Sequence, residues 1–159
     1  MPESLRIGHG YDIHRLQSGG ELVLGGVVVA DGISPIAHSD GDVVIHAIVD
    51  AMLGALALGD IGEHFPDTDP AYKNAASSLF LEKAMKLLRE RNFRILNCDV
   101  TIQAERPKLK PFNAKMAAFL GAILKCPVNI KAGTNEGCGE IGRGEAIAAH
   151  AVVLLAANV

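Results

Sequence analysis

Segments with the two-residue period of strands interleave with three segments of helical period along this 159-residue chain, and that interleaving predicts an α/β or α+β domain of helices layered on a sheet. Composition agrees: 49% of residues are apolar but only 4% aromatic, with no Trp, which predicts a core of Val, Ile, Leu and Ala. The length suits a single domain, residues 1–159, that buries its core without disulfide staples.

"SLRIGHGYDIHRL" alternates in polarity and reads as a strand interrupted by glycine. "ELVLGGVVVAD" reads as two short strands about a Gly25-Gly26 turn. Helical spacing then takes over, with Val43, Ala47, Ile48, Ala51, Met52, Ala55 and Leu56 on one stripe and Ser39 or Asp40 as the cap. Gly, Asp and Pro make residues 59–70 a loop. A second helix is predicted over 75–91, with Leu79, Ala84, Leu87 and Leu88 inward. "NCDVTIQAE" follows as a strand, "FNAKMAAFLGAILK" as a third helix and "CPVNIKAGT" as another strand. "AIAAHAVVLLAAN" is compatible with a buried strand or a helix.

A net charge of -3 offers no basic footprint for nucleic acid, so an anionic ligand must be held by local cations. No stretch reaches the roughly 18 apolar residues of a membrane span, and no apolar signal core opens the chain. A cytoplasmic protein is expected, or an organellar one if a transit segment has been removed. Cys98, Cys126 and Cys138 are odd in number and widely spaced, which argues against disulfides and thiolate zinc sites.

Asp12 and His14, two apart on a strand, project from the same face. They are either two ligands of one ion or the polar face of a half-exposed strand. His46 is a candidate third ligand: with Asp42 four residues before and Asp50 four after, it forms a polar stripe on an apolar helix, and such groups are costly to bury unpartnered. Two histidines and a carboxylate leave one position open on a tetrahedral Zn²⁺, as catalytic sites do. Asp42 or Asp50 is alternatively a residue that fixes an imidazole tautomer. His38 and Ser39 precede the helix, where an anion is favoured; Ser39 and Asp40 alternatively only cap it. "GDIGEHFPDTDP" is a solvated loop or one that wraps a polyol with its carboxylates.

In "GTNEGCGEIGRGE", Gly137, Gly139 and Gly142 match GxGxxG, but a dinucleotide fold needs a further helix, strand and acid beyond it, and the sequence ends at Val159. No Lys-Ser or Lys-Thr completes a Walker motif either. The segment is a surface loop, or one offering amides, Thr134, Glu136 and Arg143 to a phosphorylated ligand with Lys131 nearby.

Together, "GHGYDIHRL", "AHSDGDVVIHAIVDAMLGALALGDIGEHFPDTDP", "DVTIQAERPKLKP" and "GRGEAIAAHAVVLL" closely resemble the 2-C-methyl-D-erythritol 2,4-cyclodiphosphate synthase family of the non-mevalonate isoprenoid pathway, from about residue 6 onward. The resemblance implies an α+β fold, a mixed sheet with helices on one face, in a homotrimer whose sheets gather about the three-fold axis and whose active sites lie between neighbours. It implies Asp12, His14 and His46 as zinc ligands, His38 and Thr134 as groups that align the substrate, and Glu136 as the holder of a second ion, Mg²⁺ or Mn²⁺. Asp60, Ile61, Gly62, Phe65, Pro66, Asp67, Thr68 and Asp69 fall at its ribose and methylerythritol phosphate contacts, with Ser39 beside His38. Ala104, Pro107, Lys108, Leu109 and Lys110 fall in its cytosine and diphosphate pocket, Gly133 and Asn135 flank Thr134, and Arg143 falls among its phosphate contacts. Three positions depart from the family pattern: Lys110 replaces an apolar residue, Gly133 a frequent Thr and Glu140 a common aromatic. The implied reaction is intramolecular phosphoryl transfer that closes a cyclic diphosphate and expels CMP. A zinc phosphoesterase and a trimeric binding module with a structural metal are the competing readings.

Overall fold

The computed structural model describes residues 4–158. Five strands form one mixed sheet in the order β2-β1-β5-β3-β4, where β1 is Leu5–Leu24, β2 Val27–Pro35, β3 Phe93–Gln103, β4 Val128–Gly133 and β5 Ala146–Ala157. All neighbours are antiparallel except β3 and β4, which are parallel and joined through a helix. β1 is continuous where two strands are predicted. Its first part, residues 5–15, pairs with β5, and its second, from Leu16, pairs with β2. The register slips between Ser18 and Glu21, where Gly19 and Gly20 take positive φ, so the ribbon bends instead of ending.

The long helices are α1 (Val43–Ala55), α3 (Ser78–Glu90) and α4 (Asn113–Leu124); α2 (Ile61–His64) and α5 (Gly139–Gly142) are single turns. A continuous apolar core joins α1, α3 and α4 to one face of the sheet. The other face carries α5, whose Ile141 packs on Ile13, Ala146 and Ala148. β5 is the middle strand of five and is covered on both faces near its start, hence the unbroken apolar run that hides its period in the sequence.

Several expectations change. Asp42, not Ser39 or Asp40, caps α1: its carboxylate accepts from the backbone N–H of Val44 and Ile45, both at 3.1 Å. Residues 59–70 are not all loop, since α2 lies within them and a 3₁₀ turn starts at Pro70. The inward face of α3 is Phe80, Leu81, Ala84, Met85 and Leu88, while Leu79 is 37% exposed and Leu87 only half-buried. Phe80, packed against the rings of His46, Phe65 and Tyr72, and Leu81, fully buried, define the inward face, which is rotated away from the predicted stripe. All three cysteines are free thiols, and burial pushes Cys98 up to about 12 and Cys126 up to about 11.

Two glycines bring α1 onto β1. A Cβ at Gly8 would lie 1.9 Å from the Ala51 carbonyl oxygen, and one at Gly10 would lie 1.8 Å from that of Ala47. No larger residue fits between strand and helix. By strand periodicity Asp12 and His14 share the face of Gly8 and Gly10, so they too look toward α1.

Candidate metal centre and substrate hollow

His46 leaves α1 one residue before Ala47, the residue whose backbone touches Gly10. Close packing therefore delivers its ring to the two polar residues that follow Gly10 on β1. His46 Nδ1 lies 3.0 Å from Asp12 Oδ2, His14 Nε2 lies 3.1 Å from the same oxygen, and the two ring nitrogens are 3.3 Å apart. One ligating atom from each of the three falls within 4.8 Å of the others, and among the described residues no other group of three His, Cys, Asp or Glu side chains does this. Burial pushes the Asp12 carboxyl up, but hydrogen bonds and charge from His14 and His46 outweigh it and bring the group down to about 2. It is thus an anion at any physiological pH, and two imidazoles with one carboxylate suit a divalent cation of the zinc type.

The polar stripe on α1 separates into three tasks. Neither Asp42 nor Asp50 hydrogen-bonds the imidazole of His46, whose ring nitrogens meet Asp12, His14, Ser39 and Ser77. Asp42 is fully buried and holds the β1–β2 turn, accepting from Gly25 N–H at 2.9 Å and Gly26 N–H at 2.8 Å. Asp50 accepts from Ile61 N–H at 3.0 Å and so anchors α2. The other nitrogen of His46, Nε2, meets Ser77 Oγ at 2.9 Å and Ser39 Oγ at 3.3 Å.

The cluster lies in a hollow of about 840 Å³ lined also by His38, Ser39, Ile61, Gly62, Phe65, Pro66, Asp67 and Thr68. Four lining residues were not anticipated: Ile36, Ala37, Tyr72 and Phe80. The rings of Phe65, Tyr72 and Phe80 stand 5.0 to 5.8 Å apart and form one apolar wall, with the Lys83 ammonium 4.8 Å from the Tyr72 ring. Phe80 lies in the predicted second helix but off its predicted inward stripe, and Tyr72 sits in a turn that carries no periodic signal. His38 donates from Nε2 to the Asp69 carbonyl oxygen at 3.2 Å, leaving Nδ1 for a ligand. Asp69 itself caps the 3₁₀ turn, and Asp60 caps α2 while edging a smaller hollow with Tyr11 and Asp50.

The remaining predicted residues lie elsewhere. Ala104, Pro107, Lys108, Leu109, Lys110, Gly133 and Thr134 line a separate hollow of about 200 Å³, together with Glu105 and Ala132. Thr134 Oγ1 accepts from Glu136 N–H at 3.3 Å beside it, next to Asn135. The Arg143 guanidinium is paired with Glu145 at 2.9 Å. None of Asp12, His14 and His46 lines the hollow of Thr134, and Thr134 does not line that of the metal cluster.

A mixed sheet under three helices, with a two-histidine, one-carboxylate cluster at the base of an aromatic-walled hollow, defines an α+β protein built to hold a divalent metal beside a small-molecule ligand. The chain belongs to the YgbB family, which it matches over residues 5–156. It is 54% identical over 156 residues to the 2-C-methyl-D-erythritol 2,4-cyclodiphosphate synthase of Thioalkalivibrio sulfidiphilus, covering 96% of this chain and 97% of that one. Among solved structures, it resembles the IspF of Plasmodium falciparum in complex with CDP, with a TM-score of 0.86 and 34% identity over 98% of this chain and 97% of that one. It also resembles the bifunctional IspDF of Campylobacter jejuni, with a TM-score of 0.94 and 40% identity; 98% of this chain is covered but only 43% of that longer one. Among the described residues, no helix is long and apolar enough to cross a membrane.

Proposed function

We propose that this protein is an enzyme that converts 4-diphosphocytidyl-2-C-methyl-D-erythritol 2-phosphate into 2-C-methyl-D-erythritol 2,4-cyclodiphosphate and CMP. The observation that carries the reading is the convergence of Asp12, His14 and His46 in a hollow walled by the 61–68 segment, in a chain half identical to a synthase of that name. The bond formed joins an oxygen of the 2-phosphate to the β-phosphorus. The bond broken links that phosphorus to the oxygen bridging it to the α-phosphorus, and this oxygen leaves on CMP.

Both reacting groups are anions, so the main obstacle is charge, and the ligand must also be folded for in-line attack. Asp12, His14 and His46 would hold zinc, and Glu136 a second ion, Mg²⁺ or Mn²⁺; such ions supply Lewis-acid stabilisation of diphosphate charge. His38, fixed by its bond to Asp69, and Thr134 would keep the phosphates in line. Asp60, Ile61, Gly62, Phe65, Pro66, Asp67, Thr68 and Asp69 would hold the ribose and the methylerythritol phosphate, and Ser39 lies where it can touch the same ligand. Ala104, Pro107, Lys108, Leu109 and Lys110 would take the cytosine and diphosphate in the hollow they line with Gly133, and Asn135 and Arg143 would add contacts to the phosphates.

One chain holds these two halves apart, and a complete site therefore calls for a second copy to bring its nucleotide hollow to the metal cluster. A homotrimer with sites between neighbours meets that need. Leu5, Ile7, Tyr11 and Val152, exposed together on the sheet face opposite α1, supply an apolar surface for it.

Product analysis by ³¹P NMR with the cytidyl substrate tests the reading. A cyclic diphosphate and CMP in equal amounts are expected. Inorganic phosphate or an open-chain product would instead make the protein a zinc phosphoesterase, and no turnover would leave a binding module.

A further inference from the structure

Ser77 stands immediately before α3, where a serine ordinarily caps the helix, yet its hydroxyl makes no capping bond. It is fully buried and makes two other contacts: it donates to Asp40 Oδ1 and lies 2.9 Å from His46 Nε2. We infer that Ser77 and Asp40 are positioning residues that hold His46 with its ring proton on Nε2 and its lone pair on Nδ1, aimed at the metal. The inference rests on the assignment of His46 as a metal ligand.

The argument is one of proton accounting. An ionised carboxylate only accepts, so the Ser77 proton is committed to Asp40 and the serine oxygen turns lone pairs toward His46. Nε2 must then donate. A ligand nitrogen needs its lone pair free, so the single proton of a metal-bound His46 belongs on the ring nitrogen that faces Ser77. Asp40 is itself fixed from several sides: Oδ2 accepts from Ser77 N–H at 3.0 Å, Oδ1 from Asp42 N–H at 3.1 Å, and Asp40 N–H donates to the Ala75 carbonyl at 3.1 Å. Neighbouring Asn74 N–H donates to the His38 carbonyl at 2.8 Å, so the same seam holds the backbone of His38. Ser39 Oγ, at 3.3 Å from Nε2 and accepting from Gly41 N–H, is the weaker second partner. A carboxylate acting on a ligand histidine is a familiar device; here a serine bridges the gap between them.

The test compares zinc affinity, by chelator competition, and the His46 Nε2–H signal in ¹⁵N-resolved NMR of the zinc-loaded protein. Ser77→Ala should weaken zinc about 10- to 100-fold and lose the slowly exchanging Nε2–H signal. Asp40→Asn, which keeps a weaker acceptor, should fall between wild type and Ser77→Ala. Leu88→Ala, a core change in α3, should lower the melting temperature without moving either readout. Wild-type zinc affinity with a retained Nε2–H signal in both Ser77→Ala and Asp40→Asn would overturn the inference. His46→Gln separates the two levels: if it binds zinc as wild type does, the metal-ligand assignment fails; if it loses zinc while Ser77→Ala does not, only the relay fails.

Discussion

Asp42 carries four backbone N–H bonds on one fully buried carboxylate, from Gly25 and Gly26 in the β1–β2 turn and from Val44 and Ile45 at the start of α1. Burial pushes it up to about 6, against the pull of those donors, and the charge of Asp40 adds to the rise. A carboxyl raised above its unfolded value near 3.8 contributes stability that is complete below that value and is lost as pH climbs through about 6. Chemical denaturation from pH 4 to 7 should therefore show wild type losing stability relative to Asp42→Asn. The variant should be less stable at every pH, because its amide sets an N–H against donors that need an acceptor; a parallel pair of curves would refute the assignment. Asp42→Ala, which strands all four donors, should cost about 2 kcal/mol or more.

At the scale of elements, the packing of α1 on β1 decides whether the metal cluster exists. Gly10→Ala forces a methyl against the Ala47 carbonyl, which costs about 1–3 kcal/mol. Because His46 neighbours Ala47, the same shift should draw its ring from Asp12 and His14. Zinc affinity should fall together with the melting temperature, whereas Gly19→Ala, with open space about its Cβ but φ at 86°, should destabilise modestly and leave zinc binding alone. The elements were largely legible because they obey local period and punctuation: α1, α4, β3 and β4 lie within a few residues of expectation. What was hidden has non-local causes. Nothing local tells that Gly19 and Gly20 bend a strand instead of ending it, that β5 is central, or that Phe80 outweighs Leu79. The three candidate ligands could be picked out by spacing and resemblance, but the division of labour among Asp42, His46 and Asp50 depends on which distant backbone each meets. Ser77 and Tyr72 carry no sequence signal of their own: the ring nitrogen that Ser77 meets lies 31 residues away on α1, and Tyr72 sits between Phe65 and Phe80 in a turn without period.

For the whole molecule, the open sheet face and the separated hollows point the same way. Ile7, 71% exposed beside Leu5, Tyr11 and Val152, is poorly placed for a lone chain. Ile7→Asp should shift the proposed trimer to monomers in analytical ultracentrifugation and abolish turnover while zinc binding stays near wild type, because Asp12, His14 and His46 all belong to one chain. Loss of zinc in the monomer would place part of the metal site on a neighbour.

Mixed assemblies directly test the proposed site in which one chain's metal cluster works with another chain's nucleotide hollow. His46→Gln and a Thr134→Ala, Glu136→Gln double variant, each inactive alone, are co-expressed so that chains associate at random. Junctions pairing an intact metal half with an intact nucleotide half should then restore about a quarter of the wild-type rate of CMP release. Mixed assemblies that form but remain inactive would contradict a shared site.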